Sequence, residues 1–179
     1  SGGNYNVVVG DEAGTALTTG DDNVAIGFEA LKTEDEHGRN VAVGYQSLKT
    51  LNAGALAVTT TVGYKSGTSL TTGVQNVLIG GLSGDALTDA DFNVAVGNNT
   101  LTTDTKGNKS TAIGYEALAT QNFATSTDSL NTAVGFQSGA AITTGLKNTL
   151  IGGLAGDALT DADFNTAVGF GSLGFDQLG

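Results

Sequence analysis

The chain contains no cysteine, proline, methionine or tryptophan. Without cysteine there is no disulfide framework, no thiolate metal site and no sulfur nucleophile, and redox logic assigns no compartment. Aromatic residues are limited to four Tyr and seven Phe, and the 39% hydrophobic fraction is carried mainly by Ala, Val and Leu, so large core-filling side chains are scarce. Basic residues are equally scarce: seven Lys and Arg face 18 Asp and Glu, for a net charge of −11. Phosphate-backbone affinity comes from Lys and Arg, so this balance disfavours nucleic acid as a partner. No apolar run approaches the roughly 18 residues of a membrane span, which argues against membrane insertion. The first residues, SGGNYN, have neither a basic nor an apolar leader region. The sequence therefore reads as a mature or excised piece of a soluble protein, one domain over 1–179.

Glycine, by contrast, is abundant at 28 residues, with no three-residue period, so a collagen helix is excluded. What recurs is a five-residue unit: NVVVG at 6–10, NVAIG at 23–27, NVAVG at 40–44, TTTVG at 59–63, NVLIG at 76–80, NVAVG at 93–97, STAIG at 110–114, NTAVG at 131–135, NTLIG at 148–152 and NTAVG at 165–169. The closing glycines of these ten copies are separated by 17, 17, 19, 17, 17, 17, 21, 17 and 17 residues. The extra residues fall inside LNAGALAVT and QNFATSTDSL, where a loop can swell. A second-order echo of four units relates NVLIGGLSGDALTDADFNVAVG at 76–97 to NTLIGGLAGDALTDADFNTAVG at 148–169, 72 positions later.

A fixed short period is the mark of a stacked architecture in which each unit contacts only its neighbours. The unit reads as a strand. In Asn23, Val24, Ala25, Ile26 and Gly27, or Asn93, Val94, Ala95, Val96 and Gly97, the residue before glycine is β-branched, as it is in every copy, and Val or Thr stands two earlier on the same face. The residue between them is mostly Ala. Both faces are apolar, and both are expected to be buried against different things. After each glycine either Leu falls four residues on (Leu31, Leu48, Leu101, Leu118, Leu173), or Gly takes that place and Leu or Ile follows three later (Leu17, Leu70, Leu87, Ile142, Leu159). The residue three after glycine is always Ala, Ser or Thr, which suits a second short strand or a tight corner. The leading Asn, present in eight of ten copies, either forms a hydrogen-bonded ladder along the axis or is a turn residue tolerating the left-handed region.

These features predict an all-β parallel β-solenoid of about ten rungs of ~17 residues, roughly 45–50 Å long at ~4.8 Å per rung, with Val24 and Val41 as neighbours on adjacent parallel strands. The Ala-lined face is expected to be a close-approach surface where identical chains meet, most simply in a parallel homotrimer. The other arrangement is a monomeric solenoid whose two sheets pack across a thin core.

The Asn-Val-Ala-Ile-Gly unit followed by small residues resembles the head repeat of trimeric autotransporter adhesins. That resemblance implies a left-handed parallel β-roll assembled as a trimer. The 17-residue spacing, and the stretch TTGVQNVLIGGLSGDALTDADFNVAVGNNTLTTD at 71–104, is similar to repeats in tail fibres of bacteriophages. The resemblance covers essentially the whole chain. Its period is longer than is usual for bacterial heads, and no coiled-coil stalk, membrane anchor or secretion signal is visible. The implied function is a non-enzymatic structural and adhesive module of a phage tail fibre that presents a host receptor-binding surface, with a bacterial cell-surface adhesin head as the alternative. The implied partners are copies of itself and a host-surface glycan or protein receptor, and the implied location is the virion tail fibre or the extracellular surface.

Candidate chemistry is sparse. The single histidine, His37, lies in the acidic turn TEDEHGR and reads as a solvated loop residue. The carboxylates Glu34, Asp35 and Glu36, and Asp21 and Asp22, sit in turns with no apolar pocket to raise a pKa. GGLSG follows a strand but opens no helix, so no phosphate loop is expected. Asp85, Asp89 and Asp91, with their echo Asp157, Asp161 and Asp163, are weak calcium candidates whose spacing departs by one residue from the calcium-binding nonapeptide. No other cofactor is indicated. Phe92 and Phe164 read as plugs of the rung edge. The Thr pairs 18–19, 71–72 and 143–144 raise ice binding, but they are missing from several rungs.

Overall fold

Each five-residue unit forms a three-residue strand that ends at its glycine. In the computed structural model, which describes residues 3–175, ten such strands stack into one parallel sheet. They are β1 Val7–Val9, β2 Val24–Ile26, β3 Val41–Val43, β4 Thr60–Val62, β5 Val77–Ile79, β6 Val94–Val96, β8 Thr111–Ile113, β10 Thr132–Val134, β11 Thr149–Ile151 and β12 Thr166–Val168. The intervening β7 (Gly107–Asn108) and β9 (Thr127–Asp128) pair with each other where the longest loop swells. Strands neighbour one another in chain order, and Val24 pairs with Val41, Ala25 with Ala42 and Ile26 with Val43. The fold is an all-β parallel β-solenoid, with no helix among the described residues. Residues 1–2 and 176–179 of the domain expected over 1–179 lie outside the described residues.

Two ladders hold the rungs in register. The backbone ladder runs through the strands, with Val24 N–H donating to Asn40 O and Gly44 N–H to Ile26 O, both at 2.8 Å. Beside it runs the Asn ladder. Asn23 N–H donates to Asn6 Oδ1 (2.8 Å), Asn93 N–H to Asn76 Oδ1 (2.9 Å) and Asn148 N–H to Asn131 Oδ1 (2.9 Å). Most of these Asn amide nitrogens also reach a carbonyl of their own rung, as Asn93 Nδ2 does to Gly107 O at 2.8 Å, whereas Asn40 Nδ2 is buried without a partner. The left-handed residue is the one before the Asn, such as Asp22 (φ 60) and Arg39 (φ 63), so the ladder is the role the structure assigns to the Asn.

The sequence expectation for the two strand faces is reversed. The Ala column does not meet a sister chain. Ala25, Ala42, Ala95, Ala112 and Ala133 are fully buried within their own chain, against Leu31, Leu48, Leu101, Leu118 and their equivalents. The β-branched face is not fully buried: it points outward, with Ile26 36%, Ile79 37% and Ile113 38% exposed. Among the described residues the only other sheet is the two-stranded β7–β9 pair, so no second long sheet packs across the core. The rest of each rung is a series of tight corners, and residues in the left-handed region recur there, as at Glu29 (φ 52) and Leu31 (φ 49). The corner residues three after glycine are buried except Ser172, and where they are Ser the buried hydroxyl donates to a strand carbonyl, as Ser66 Oγ does to Leu78 O at 2.8 Å and Ser138 Oγ to Leu150 O at 2.9 Å.

The 72-residue echo is a large-for-small exchange inside this narrow core. Where corners carry Gly67 and Gly84, the strand midpoint carries Leu78 instead of Ala, and a Cβ on either glycine would stand 2.9 Å from a Leu78 methyl. Gly139, Gly156 and Leu150 repeat the arrangement, with approaches of 2.8 Å. Volume is conserved between the two rung types, as a close-packed interior requires.

The strand-ending glycines stack on one another, and there the chain has no room for a side chain. A Cβ on Gly135 (φ 141) would lie 2.5 Å from the carbonyl of Gly152, whereas one on Gly169 (φ 119) would meet nothing within 4 Å. Gly135→Ala is expected to cost about 2–4 kcal/mol, and Gly169→Ala about 1–2 kcal/mol from its backbone angle alone. Thermal unfolding midpoints of the two variants test this. Equal losses would show that rung-to-rung contact does not dictate glycine.

Candidate functional site

The surface that stands apart is the outward face of the ten-stranded sheet. Alternation along each strand presents two rows there. One is Val7, Val24, Val41, Thr60, Val77, Val94, Thr111, Thr132, Thr149 and Thr166; the other is Val9, Ile26, Val43, Val62, Ile79, Val96, Ile113, Val134, Ile151 and Val168. Neither row contains a charge. The residue after each glycine forms a third row, mainly aromatic. Phe28, Tyr45 and Tyr64 stack with ring centroids 5.3 and 5.4 Å apart, and Tyr115 stacks on Phe136 at 5.5 Å. All five rings are between 36% and 54% exposed. This row was not foreseen. Its signal was present in the sequence as an aromatic one residue past the glycine, but Asp11, Gly81, Asn98 and Gly153 interrupt it and hide it from a strict period.

Next to the aromatic row runs a ladder of charges at the corner. Glu29 accepts from Lys32 Nζ at 2.6 Å, Lys49 Nζ at 2.6 Å and Gln46 Nε2 at 2.7 Å. Lys32 also pairs with Glu12. These donors, Lys32 first and then Lys49 and Gln46, hold the Glu29 carboxyl down from 4.5 to about 2. The Glu12 bond, followed by that of Glu29, pushes the Lys32 ammonium up. Glu116 and Gln137 repeat the contact at 2.7 Å.

Besides Glu29, two carboxylates are buried, and both are fully enclosed: Glu34 and Asp104. Glu34 is completely enclosed, contrary to its expected place in a solvated acidic turn. Its oxygens accept the N–H groups of His37 (3.1 Å) and Ala53 (3.2 Å), and His37 Nδ1 lies 3.6 Å away. His37 is thus half-buried against Glu34 rather than free in solvent. Asp104 sits at the equivalent rung position, seven after the glycine, where other rungs carry Leu70, Leu87, Ile142 or Leu159. It accepts Gly107 N–H (3.0 Å), Lys106 N–H (3.2 Å), Phe123 N–H (3.3 Å) and Gln121 Nε2 (2.6 Å). Burial pushes its pKa up, against these bonds. Both acids precede the two swollen rungs, and each accepts one backbone N–H from the swollen loop, Ala53 or Phe123, and the others from its own turn. Their role is to hold loops.

The remaining candidates are dispersed. Asp85 Oδ1 accepts Thr102 Oγ1 at 2.7 Å, and Asp91 Oδ1 accepts Val74 N–H at 2.8 Å, so these aspartates bridge rungs rather than converge. Asp163 Oδ1 likewise accepts Leu146 N–H at 2.7 Å. Among the described residues no group of three His, Asp or Glu could hold a metal ion. Phe92 and Phe164 do not plug the edge: they are 46% and 71% exposed, and Lys147 Nζ stands 4.9 Å from the centre of the Phe164 ring. Thr18, Thr71 and Thr143 donate their hydroxyls to the carbonyls of Asp35, Thr88 and Thr160 on the next rung. A polar cavity of about 160 Å³ opens beside the first swollen loop, lined by Asp21, Asp22, Glu36, Arg39 and Leu56 among others.

Compared with protein-family models, with curated proteins and with solved structures, the chain finds no match.

Two outcomes follow from the acids. Glu29 has a depressed folded-state value, so its contribution is complete above its ordinary value and is lost as pH falls from 4.5 towards about 2. The thermal midpoint should decline over that interval, and Glu29→Gln should flatten part of the decline; an unchanged pH profile in the variant counts against the ladder. Asp104→Ala leaves buried N–H groups without an acceptor and should cost about 2–4 kcal/mol. Hydrogen exchange should show the loss of protection confined to residues around 104–108 and 121–129.

Proposed function

We propose that this chain is a non-enzymatic structural and adhesive fibre module, a rod that extends or presents a host receptor-binding surface. The observation that carries the proposal is the uninterrupted ten-strand stack. Its buried Asn, Ser and acid side chains are spent on joining rungs or holding loops, and its outer surface repeats along the axis. Such a rod suits display of many weak contacts at fixed spacing, where avidity supplies affinity that no single contact has. The likeness of its repeat to tail-fibre and adhesin-head repeats supports placement on a virion tail fibre, as a homotrimer, with the bacterial cell-surface adhesin head as the second reading. The 17-residue period favours the phage side. The expected ligand is a glycan or protein of the host surface.

Fluorescently labelled protein applied to a panel of intact bacterial strains, and to arrays of bacterial surface glycans, tests this. Saturable binding to particular strains, blocked by unlabelled protein, is the expected result. Absence of binding across the panel counts against adhesion, and shortening of a host polysaccharide on incubation would make the protein an enzyme.

A further inference from the structure

We infer that the first swollen loop, Asn52 to Val58, is a lid that opens while the rod around it stays folded, and that the second, Asn122 to Leu130, is a fixed strap. The inference goes beyond the fibre reading and does not rest on it.

The loops occupy equivalent places, before β4 and before β10 of the long sheet, yet they are held differently. The second is bonded along its length. Asn122 N–H donates to Thr143 O (2.9 Å), Phe123 N–H to Asp104 Oδ1 (3.3 Å), Thr127 N–H to Lys106 O (3.2 Å) and Ser129 N–H to Asn108 O (3.0 Å). Asn108 Nδ2 donates to Ser126 Oγ at 2.9 Å, β7 pairs with β9, and Phe123 is buried. The first loop is held at its shoulders. Asn52 N–H donates to Thr71 O at 2.9 Å and Ala53 N–H to Glu34 Oε2 at 3.2 Å, and Ala57 O accepts Gln75 N–H at 2.6 Å. Between them, among the described residues, Gly54, Ala55 and Leu56 make no hydrogen bond. Leu56 and Val58 are exposed, and a Cβ on Gly54 would meet nothing within 4 Å.

What lies beneath each loop accounts for the difference. Under the second, Gln121 Nε2 donates to Asp104 Oδ2 (2.6 Å) and Ser110 Oγ (2.9 Å), while its Oε1 accepts Asn131 Nδ2 (2.8 Å). The same positions under the first loop, counted from Glu34, hold Leu51 in place of Gln121 and Asn40 in place of Ser110. Leu51 offers no polar atom. In regular rungs the Asn amide bonds the carbonyl fourteen residues on, as Asn23 Nδ2 does to His37 O and Asn76 Nδ2 to Ala90 O. For Asn40 that carbonyl belongs to Gly54, in the arch of the loop, and Asn40 Nδ2 is buried with no partner. His37 Nδ1 is also buried and unpartnered, 3.6 Å from Glu34. A buried donor without an acceptor is costly, and water admitted by an open loop relieves that cost. The closed first loop thus carries a penalty that the second avoids. Segments with few backbone hydrogen bonds and exposed apolar side chains are where local opening occurs. Leu56 lines the polar cavity with Asp21, Asp22, Glu36 and Arg39, so opening of the lid widens the mouth of that cavity.

Amide hydrogen exchange on the whole chain tests this by comparing Ala53 with Phe123, whose N–H groups both end on an enclosed carboxylate. Corrected for intrinsic rates, Ala53 should exchange about tenfold or more faster, the equivalent of one unsatisfied donor. Its rate should not respond to low denaturant, because opening the lid exposes little surface. Val24 and Val77, in β2 and β5 on either side, should stay slow. Leu51→Gln supplies Asn40 with an acceptor and Glu34 with a further donor, and should slow Ala53 towards the rate of Phe123; Gln121→Leu should speed Phe123. Equal protection of Ala53 and Phe123 in the wild-type chain overturns the inference whether or not either variant folds. So does Ala53 exchange that follows global unfolding or is shared by Val24 and Val77, and so does a folded Leu51→Gln chain with unchanged Ala53 exchange.

Discussion

The distance between one rung and the next, about 4.8 Å, is the constraint to which the rest of the structure answers. Parallel backbone hydrogen bonds set it, and each column of equivalent residues must then tolerate its own copy at that spacing. Glycine closes every strand because the next glycine's carbonyl lies where a Cβ would go. Asn opens most strands because its side chain, unlike that of Asp, offers both an acceptor for the next rung's N–H and a donor for its own rung's carbonyl, on two separate atoms. Where Ser110 replaces it, Gln121 and Ser129 take over the bonding at 2.9 and 2.5 Å.

Those requirements determine where chemistry can and cannot sit. A narrow interior filled with Ala, Leu and Ser leaves little free volume, and most polar groups inside it are hydrogen-bonded, with His37 Nδ1, Asn40 Nδ2 and Asp157 Oδ1 the exceptions among the described residues. Asp104 and Glu34 illustrate the point. A buried carboxylate with a raised pKa is elsewhere a candidate general acid, yet here four donors surround Asp104 and it faces a loop of its own chain. What the rod has left to offer is surface: an uncharged sheet face, a row of stacked rings and a charged corner, each extended by repetition.

Much of this was legible beforehand. The period, the strand positions, the swollen loops and the neighbours Val24 and Val41 could all be read from spacing alone, because a residue that recurs in every copy reports a column. Features absent from some copies were lost. The aromatic row is broken at Asp11, Gly81, Asn98 and Gly153, and the fully enclosed acids occur in only two rungs, so neither rises above the noise of a single sequence. His37 and Glu34 were misplaced for a related reason: an acidic turn looks solvated until the loop beside it folds over.

The sequence by itself determined that the chain coils with a 17-residue lap and that its strands run parallel in register, since identical columns lie over one another in no other way. Only the tertiary structure decided which side of the strand is inside. Alternation defines two apolar faces without ranking them, and the chain curls towards the face bearing Ala because a lap this short cannot enclose a stack of Val and Ile. The bulkier row was therefore left outward, on the opposite side from the one that composition suggested.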